Sequence, residues 1–155
     1  MKQTGNYITK EMKETLEAEL KDLKGPKRRE ILDSLEYAKS LGDLSENAEY
    51  HQTREDQGKL EARIQKIEQI LRSSQVISGG GGDIIKIGSK VIVQKEGIKE
   101  EKTYQIVGSE EADMALGKIS NRSPFGEALF GKKKGESISF NAPNGTVNYK
   151  IISIF

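Results

Sequence analysis

Leu41-Gly42-Asp43-Leu44-Ser45-Glu46-Asn47-Ala48-Glu49-Tyr50 is the stretch on which the reading of this chain turns. It interrupts two long helical patterns and sets two carboxylates, Asp43 and Glu46, at the turn between them. A connection this short sends the second helix back antiparallel to the first. Carboxylates at the end of a helical arm are poorly placed to stabilise a core. They are well placed to be carried into another molecule's cavity, so the pattern points to a protein that delivers metal ligands to a partner.

Upstream, helical spacing begins at Thr9, a natural N-cap with Glu11 and Glu14 near the positive end of the helix dipole. Met12, Leu16, Leu20 and Leu23 recur three or four residues apart. Gly25-Pro26 disturbs the run, because proline removes a donor and disfavours helix in the residue before it. The spacing resumes through Ile31, Leu35 and Ala38 and stops at Gly42. Downstream, a helix is expected from about Ser45 to Ser73. Leu60, Ile64, Ile67 and Leu71 form a coiled-coil seam on it. Residues 1–77 therefore read as an antiparallel coiled-coil arm, roughly 45 Å long at 1.5 Å per residue, with an acidic tip near 42–46.

Residues 78–83, Ser-Gly-Gly-Gly-Gly-Asp, read as a linker, since four glycines hold neither helix nor packed strand. Beyond it the texture changes to short strands: Lys90–Val93, Thr103–Val107, Glu136–Phe140 and Val147–Ile151. Asn144-Gly145 reads as a hairpin turn. A short helix is expected over 123–129, entered through Pro124. Residues 84–155 thus form a small second domain, and the chain as a whole reads as two-domain α+β.

Composition narrows the function classes. Of 155 residues, 34% are hydrophobic and 32% charged, which suits a wet two-helix arm better than one large core. The formal net charge is +1. Neither half is the uniformly basic surface that binding to free DNA favours. There is no cysteine and one histidine, His51; a thiolate site is excluded and His51 has no partner for a zinc site. It reads as a surface or arm-seam residue. No apolar run is long enough to span a membrane or serve as a signal peptide, and a soluble cytoplasmic protein is expected.

Asp43 and Glu46 admit two readings that can coexist. An acid followed three residues later by Glu at a helix start has capping-box spacing. The same pair suits Mg2+, which takes one or two protein carboxylates when other ligands come from elsewhere. Ser45 lies between them, as a cap or as a hydrogen-bond partner for water or phosphate. Asn47 and Tyr50 lie close enough to support the tip or touch a nucleic acid there, with plain packing as the alternative for each. Lys39 and Arg54 flank it on opposite limbs, either as a solvated face or as phosphate contacts. Lys24, Lys27, Arg28 and Arg29 gather beside Pro26 and read as a solvated elbow.

The segment 42–50, with Arg54-Glu55-Asp56-Gln57 and Glu61-Ala62-Arg63-Ile64, resembles the tip signature of the bacterial Gre transcript-cleavage factors. The likeness continues through Tyr104–Gly108, Glu111-Ala112-Asp113 and the run 119–132, so it covers nearly the whole chain in order. It implies an FKBP-like antiparallel sheet with a short helix in the second domain. It implies a monomer whose partners are RNA polymerase and the 3′ end of backtracked nascent RNA. Factors of this kind enter the polymerase's secondary channel and stimulate the enzyme's own cleavage of the transcript. Asp43 and Glu46 would then help hold the polymerase's second Mg2+ and orient water, with no cofactor bound by the chain alone and no activity of its own. Lys39 and Arg54 would contact RNA. Ser123 and Pro124 would contact the polymerase at the channel rim, although Ser as cap and Pro in the first turn also describe a plain helix start. Ser45 stands where some relatives carry Lys, which points to the less basic type that handles short backtracked RNA.

Two rivals come from other classes. A chaperone gripping clients with its arm has no need of acids at the tip. A prolyl isomerase needs a deep aromatic cleft, and the FKBP-like fold name alone does not supply one. Within the family, a channel-binding inhibitor would alter the tip, and the intact acidic pair argues against it.

Overall fold

The computed structural model describes residues 5–78 and 81–155. The chain divides into two compact units. One is the arm, Lys13–Ser73; the other joins the residues up to Met12 with Ser74–Phe155. The expected boundary at 77 is therefore displaced at both ends. The cause is a pair of strands that helical periodicity hides. β1 (Asn6–Thr9) pairs in parallel with β2 (Ser74–Ile77), Asn6 opposite Ser74 and Thr9 opposite Ile77. Of the glycine linker 78–83, residues 79 and 80 lie outside the described residues.

In the arm, α1 (Lys10–Asp22) runs into a π-helical turn, Leu23–Lys27, and then into α2 (Arg28–Ser40). Pro26 sits inside that turn. The helix is neither broken nor ended by it. Widening the turn carries the backbone past the residue that lacks a donor, and the Arg28 N–H reaches back to the carbonyls of Gly25 and Leu23. After the tip, α3 (Ala48–Ser73) returns and packs along α2. Leu35 and Ala38 of α2 and Thr53, Leu60, Ile64, Ile67 and Ile70 of α3 are buried. Ile70, not the expected Leu71, is the last buried seam residue; Leu71 is half-buried.

Ion pairs link the limbs. Arg28 binds Glu61 through two hydrogen bonds of 3.0 and 2.9 Å. Arg63 binds Glu19 likewise at 2.7 and 2.9 Å. Lys24 pairs with Glu68 across the limbs, while Lys27 pairs within its own limb with Glu30 at 3.7 Å. The basic elbow therefore serves the arm itself through three of its four members. Their positive partners hold the Glu19 and Glu68 carboxyls below the ordinary glutamate range. Being exposed to screening water, such pairs contribute little to stability and serve mainly to set the register of the limbs.

The second unit is built on a five-stranded sheet of order β5-β4-β3-β7-β6. Its strands are β3 (Lys90–Lys95), β4 (Glu101–Val107), β5 (Lys118–Ser120), β6 (Ser137–Ala142) and β7 (Gly145–Ile154). The expected antiparallel sheet is in fact mixed: β5 runs parallel to β4, Ile119 opposite Ile106. The three-residue β5 is too short to announce itself by alternation. The β6–β7 hairpin pairs Ala142 with Gly145. Its turn is thus Pro143-Asn144, with Gly145 opening the next strand.

α4 (Pro124–Leu129) lies against β6 and closes the core of Ile85, Val91, Val93, Ile106, Ile119, Leu129 and Ile151, all 0–2% exposed. Phe125 stacks on Phe140 at 4.6 Å and on Tyr149 at 4.9 Å, with Tyr104 edge-on at 5.2 Å. These aromatics fill the core as a stack, and burial pushes the Tyr104 hydroxyl pKa up, helped by Tyr149. β1 is tied in by Glu111, a buried carboxylate that accepts from Thr9 N at 3.1 Å and Thr9 Oγ1 at 2.7 Å. The same Thr9 hydroxyl accepts from Met12 N at 3.1 Å and caps α1 as expected.

Candidate functional site: the acidic tip of the arm

The loop 41–47 connects α2 to α3, and every residue from Leu41 to Glu46 is exposed. Gly42, at φ 113°, takes the backbone where a side chain would strain it and turns the chain out of α2. Leu41 N and Gly42 N close on the last carbonyls of α2, from Ala38 at 3.2 Å and Lys39 at 3.4 Å.

The capping-box expectation is replaced by a different arrangement. α3 begins at Ala48, not near Ser45, and its cap is Asn47. The Asn47 Oδ1 accepts from Tyr50 N at 3.1 Å, and its Nδ2 donates to the Ala38 carbonyl at 2.7 Å. One side chain thus caps the second limb and fastens it to the first. Asp43 instead turns on its own loop: its Oδ1 accepts from Ser45 N at 3.0 Å and from Ser45 Oγ at 2.8 Å. Asparagine wins the cap because its amide offers both an acceptor and donors, and this end needs one of each.

Four points bear on chemistry. The Ser45 hydroxyl and, behind it, the Ser45 backbone N–H pull the Asp43 pKa below the ordinary aspartate value, so Asp43 is a carboxylate at neutral pH. Both bonds fall on Oδ1, and Oδ2 has no partner among the described residues. The Glu46 carboxylate is exposed and likewise without a hydrogen-bond or ion-pair partner among them. Ser45 does not cap a helix.

Tyr50 is half-buried on the first turn of α3, its ring 5.6 Å from that of His51, edge to face. His51 is exposed, and its Nε2 lies 3.3 Å from the Ser45 carbonyl. The tip therefore contains His51, which sequence reasoning left on the surface or in the seam. The only signal was its distance of six residues from Ser45, and no helical rule pairs residues across a loop. Lys39 and Arg54 are exposed on their two limbs; Arg54 Nη1 donates to Gln57 Oε1 at 2.9 Å.

Two exposed carboxylates fit a hard cation whose remaining ligands are water or belong to a partner. Among the described residues no three His, Cys, Asp or Glu side chains gather into a metal site. No helix of the described residues is long and apolar enough to cross a membrane.

In the other unit, Ser123 caps α4. Its Oγ accepts from Gly126 N at 3.1 Å and donates to the Ser120 carbonyl at 2.7 Å. Pro124 occupies the first turn and is exposed. The plain helix-start reading thus accounts for the Ser123 hydroxyl, while the Pro124 ring remains open to solvent.

Residues 6–76 match the family described as "Transcription elongation factor, N-terminal", and residues 80–155 the one described as "Transcription elongation factor, GreA/GreB, C-term". The chain is 44% identical over 154 residues to transcription elongation factor GreA of Thermosipho africanus, covering 99% of both chains. It is 45% identical over 157 aligned positions to GreA of Clostridium acetobutylicum, again covering 99% of both. The crystal structure of GreA factor homolog 1 (Gfh1) of Thermus thermophilus aligns over 97% of this chain and 99% of that one, at 26% identity and a TM-score of 0.44, too loose a superposition to argue from. With both halves matched in order and similarity running from end to end, the chain belongs to the GreA/GreB family of transcription elongation factors and is of the GreA type.

Proposed function

We propose that this protein enters the secondary channel of RNA polymerase arm-first and stimulates the enzyme's own hydrolysis of backtracked RNA. The observation that carries the reading is Asp43, an exposed, ionised carboxylate with one free oxygen, beside the equally exposed Glu46. Asp43 and Glu46 would hold a Mg2+ that the polymerase binds weakly by itself. When bound, that ion supplies charge stabilisation for the departing and attacking oxygens of a phosphodiester. The chain's own part is to bring two fixed negative charges to the site and to orient water by hydrogen bonds to their free oxygens. Cleavage leaves a 3′ end in register, and elongation resumes.

The remaining residues fall into supporting roles. Asn47 keeps the two limbs together behind the acids. Lys39 and Arg54 contact the phosphates of the extruded RNA without reading its sequence. Pro124 offers a rigid exposed contact for the channel rim, on a backbone that Ser123 fixes. The chain alone has no nuclease activity in this reading and works in the cytoplasm.

The test uses a stalled, backtracked bacterial elongation complex with 3′-labelled RNA and Mg2+. Native protein should release short 3′ fragments quickly, and Asp43→Asn should release few at equal polymerase binding. Tight binding without stimulation would instead indicate a channel-blocking regulator, and absence of binding would remove the transcription reading of the arm.

A further inference from the structure

We infer that His51 is a positioning residue for the tip: its imidazole holds the Ser45 carbonyl and so fixes the loop that presents Asp43 and Glu46. This deepens the proposed function and rests on it. Residues 44–46 form a turn, but among the described residues no backbone-to-backbone hydrogen bond of good geometry holds the segment 43–46. Its order comes from side chains. Asp43 takes two of the three polar groups of Ser45, the N–H and the hydroxyl. The third, the carbonyl, faces His51 Nε2 at 3.3 Å. A carbonyl oxygen only accepts, so Nε2 carries the proton in this contact and is a donor there, not a metal ligand.

Position explains why this contact matters. Ser45 follows Asp43 by two residues and immediately precedes Glu46, so fixing Ser45 restrains both carboxylates. Asp43 belongs to the loop itself and cannot anchor it to anything rigid. His51 sits on α3, a helix of 26 residues, and its ring is braced edge-on against Tyr50 at 5.6 Å. The Ser45–His51 bond therefore ties the loop to a rigid element. A free loop leaving α2 through Gly42 would have to be ordered each time its acids converged on an ion, and that cost would reduce the rate.

The test compares the full-length native chain with His51→Ala and His51→Gln. The Gln amide still offers an N–H to the carbonyl. In 15N relaxation of the free protein, the Ser45 and Glu46 amides should be ordered in the native chain. They should fall toward the flexible range, an order parameter below about 0.6, in His51→Ala, with recovery in His51→Gln. In cleavage of backtracked RNA at saturating factor, His51→Ala should be slower by roughly 10- to 100-fold, the scale of lost positioning. Its half-saturating concentration should stay native, and His51→Gln should regain most of the rate. Unchanged order at Ser45 in His51→Ala overturns the inference, as does lost order without a slower saturated rate. So does a loss that Gln fails to rescue. If the native protein stimulates no cleavage, the proposed function falls, while the relaxation measurement still decides whether His51 holds the loop.

Discussion

Asn47 Nδ2 donates to the carbonyl of Ala38 at 2.7 Å, joining the first turn of α3 to the last turn of α2 across the loop that carries the acids. The same side chain caps α3 through Tyr50 N. Asn47→Ala removes both bonds and leaves the Ala38 carbonyl, in the buried seam, with the longer 3.2 Å bond from Leu41 N. A loss of about 1–2 kcal/mol is expected for a cap of this kind. Urea unfolding checks it, and Asn47→Asp, which keeps the acceptor but loses the donors, should lie between native and alanine.

The carboxyl of Asp43 should titrate below the ordinary aspartate value, chiefly because the Ser45 hydroxyl donates to the ionised form. The folded pKa is lowered, so the loop's two bonds to Asp43 are fully present above the unfolded value and are lost as pH falls through the folded one. Near neutrality no change with pH is expected from this group. Ser45→Ala should raise the Asp43 midpoint toward the ordinary value while leaving the backbone contribution. Carbon NMR titration of the side-chain carboxyl measures both, and an Asp43 that titrates normally in the native chain would remove the ionic account of this loop.

The burial of Ile70 rather than Leu71 is testable by truncation. Ile70 is 5% exposed and should cost about 2–5 kcal/mol on replacement by Ala, through lost transfer energy and the cavity left behind. Leu71→Ala should cost about 1 kcal/mol, because its side chain is already partly in water. Equal losses in chemical denaturation would return the seam to the four-three-four spacing of the sequence.

Gly108 marks the seat of β1 in the second unit. A Cβ at that position would lie 1.7 Å from the Tyr7 carbonyl oxygen, a main-chain atom held in the β1–β2 pair. Gly108→Ala must push β1 away and weaken the bonds between Thr9 and Glu111. The expected cost is at the upper end of the roughly 1–3 kcal/mol typical of overpacking. Faster hydrogen exchange at the Thr9 amide would report it. Native-like protection there would show that β1 can shift without loss.

Much of this protein is legible in its sequence because the relevant physics is local. Helical spacing around a short polar turn fixes an antiparallel hairpin, since apolar residues three and four apart share one face whatever lies beyond. Thr9 and Ser123 cap their helices as their residue types and positions suggest. The order of Asp43, Glu46 and the basic residues around them places them at the arm's end by arithmetic alone.

What only the tertiary structure decided depends on partners distant in sequence or on competition among near-equal groups. β1 and β2 are four residues each, and β1 exists because Ser74–Ile77 lies beside it and Glu111, over a hundred residues away, receives its last amide. β5 is a strand only against β4. At the tip, Asp43, Ser45 and Asn47 are all acceptable caps by residue type, with similar intrinsic preference. The choice fell to Asn47, whose amide caps α3 and at the same time donates to Ala38 on the facing limb. That choice freed Asp43 to bind Ser45, and it put His51 within reach of the Ser45 carbonyl, a distance set by the folded loop.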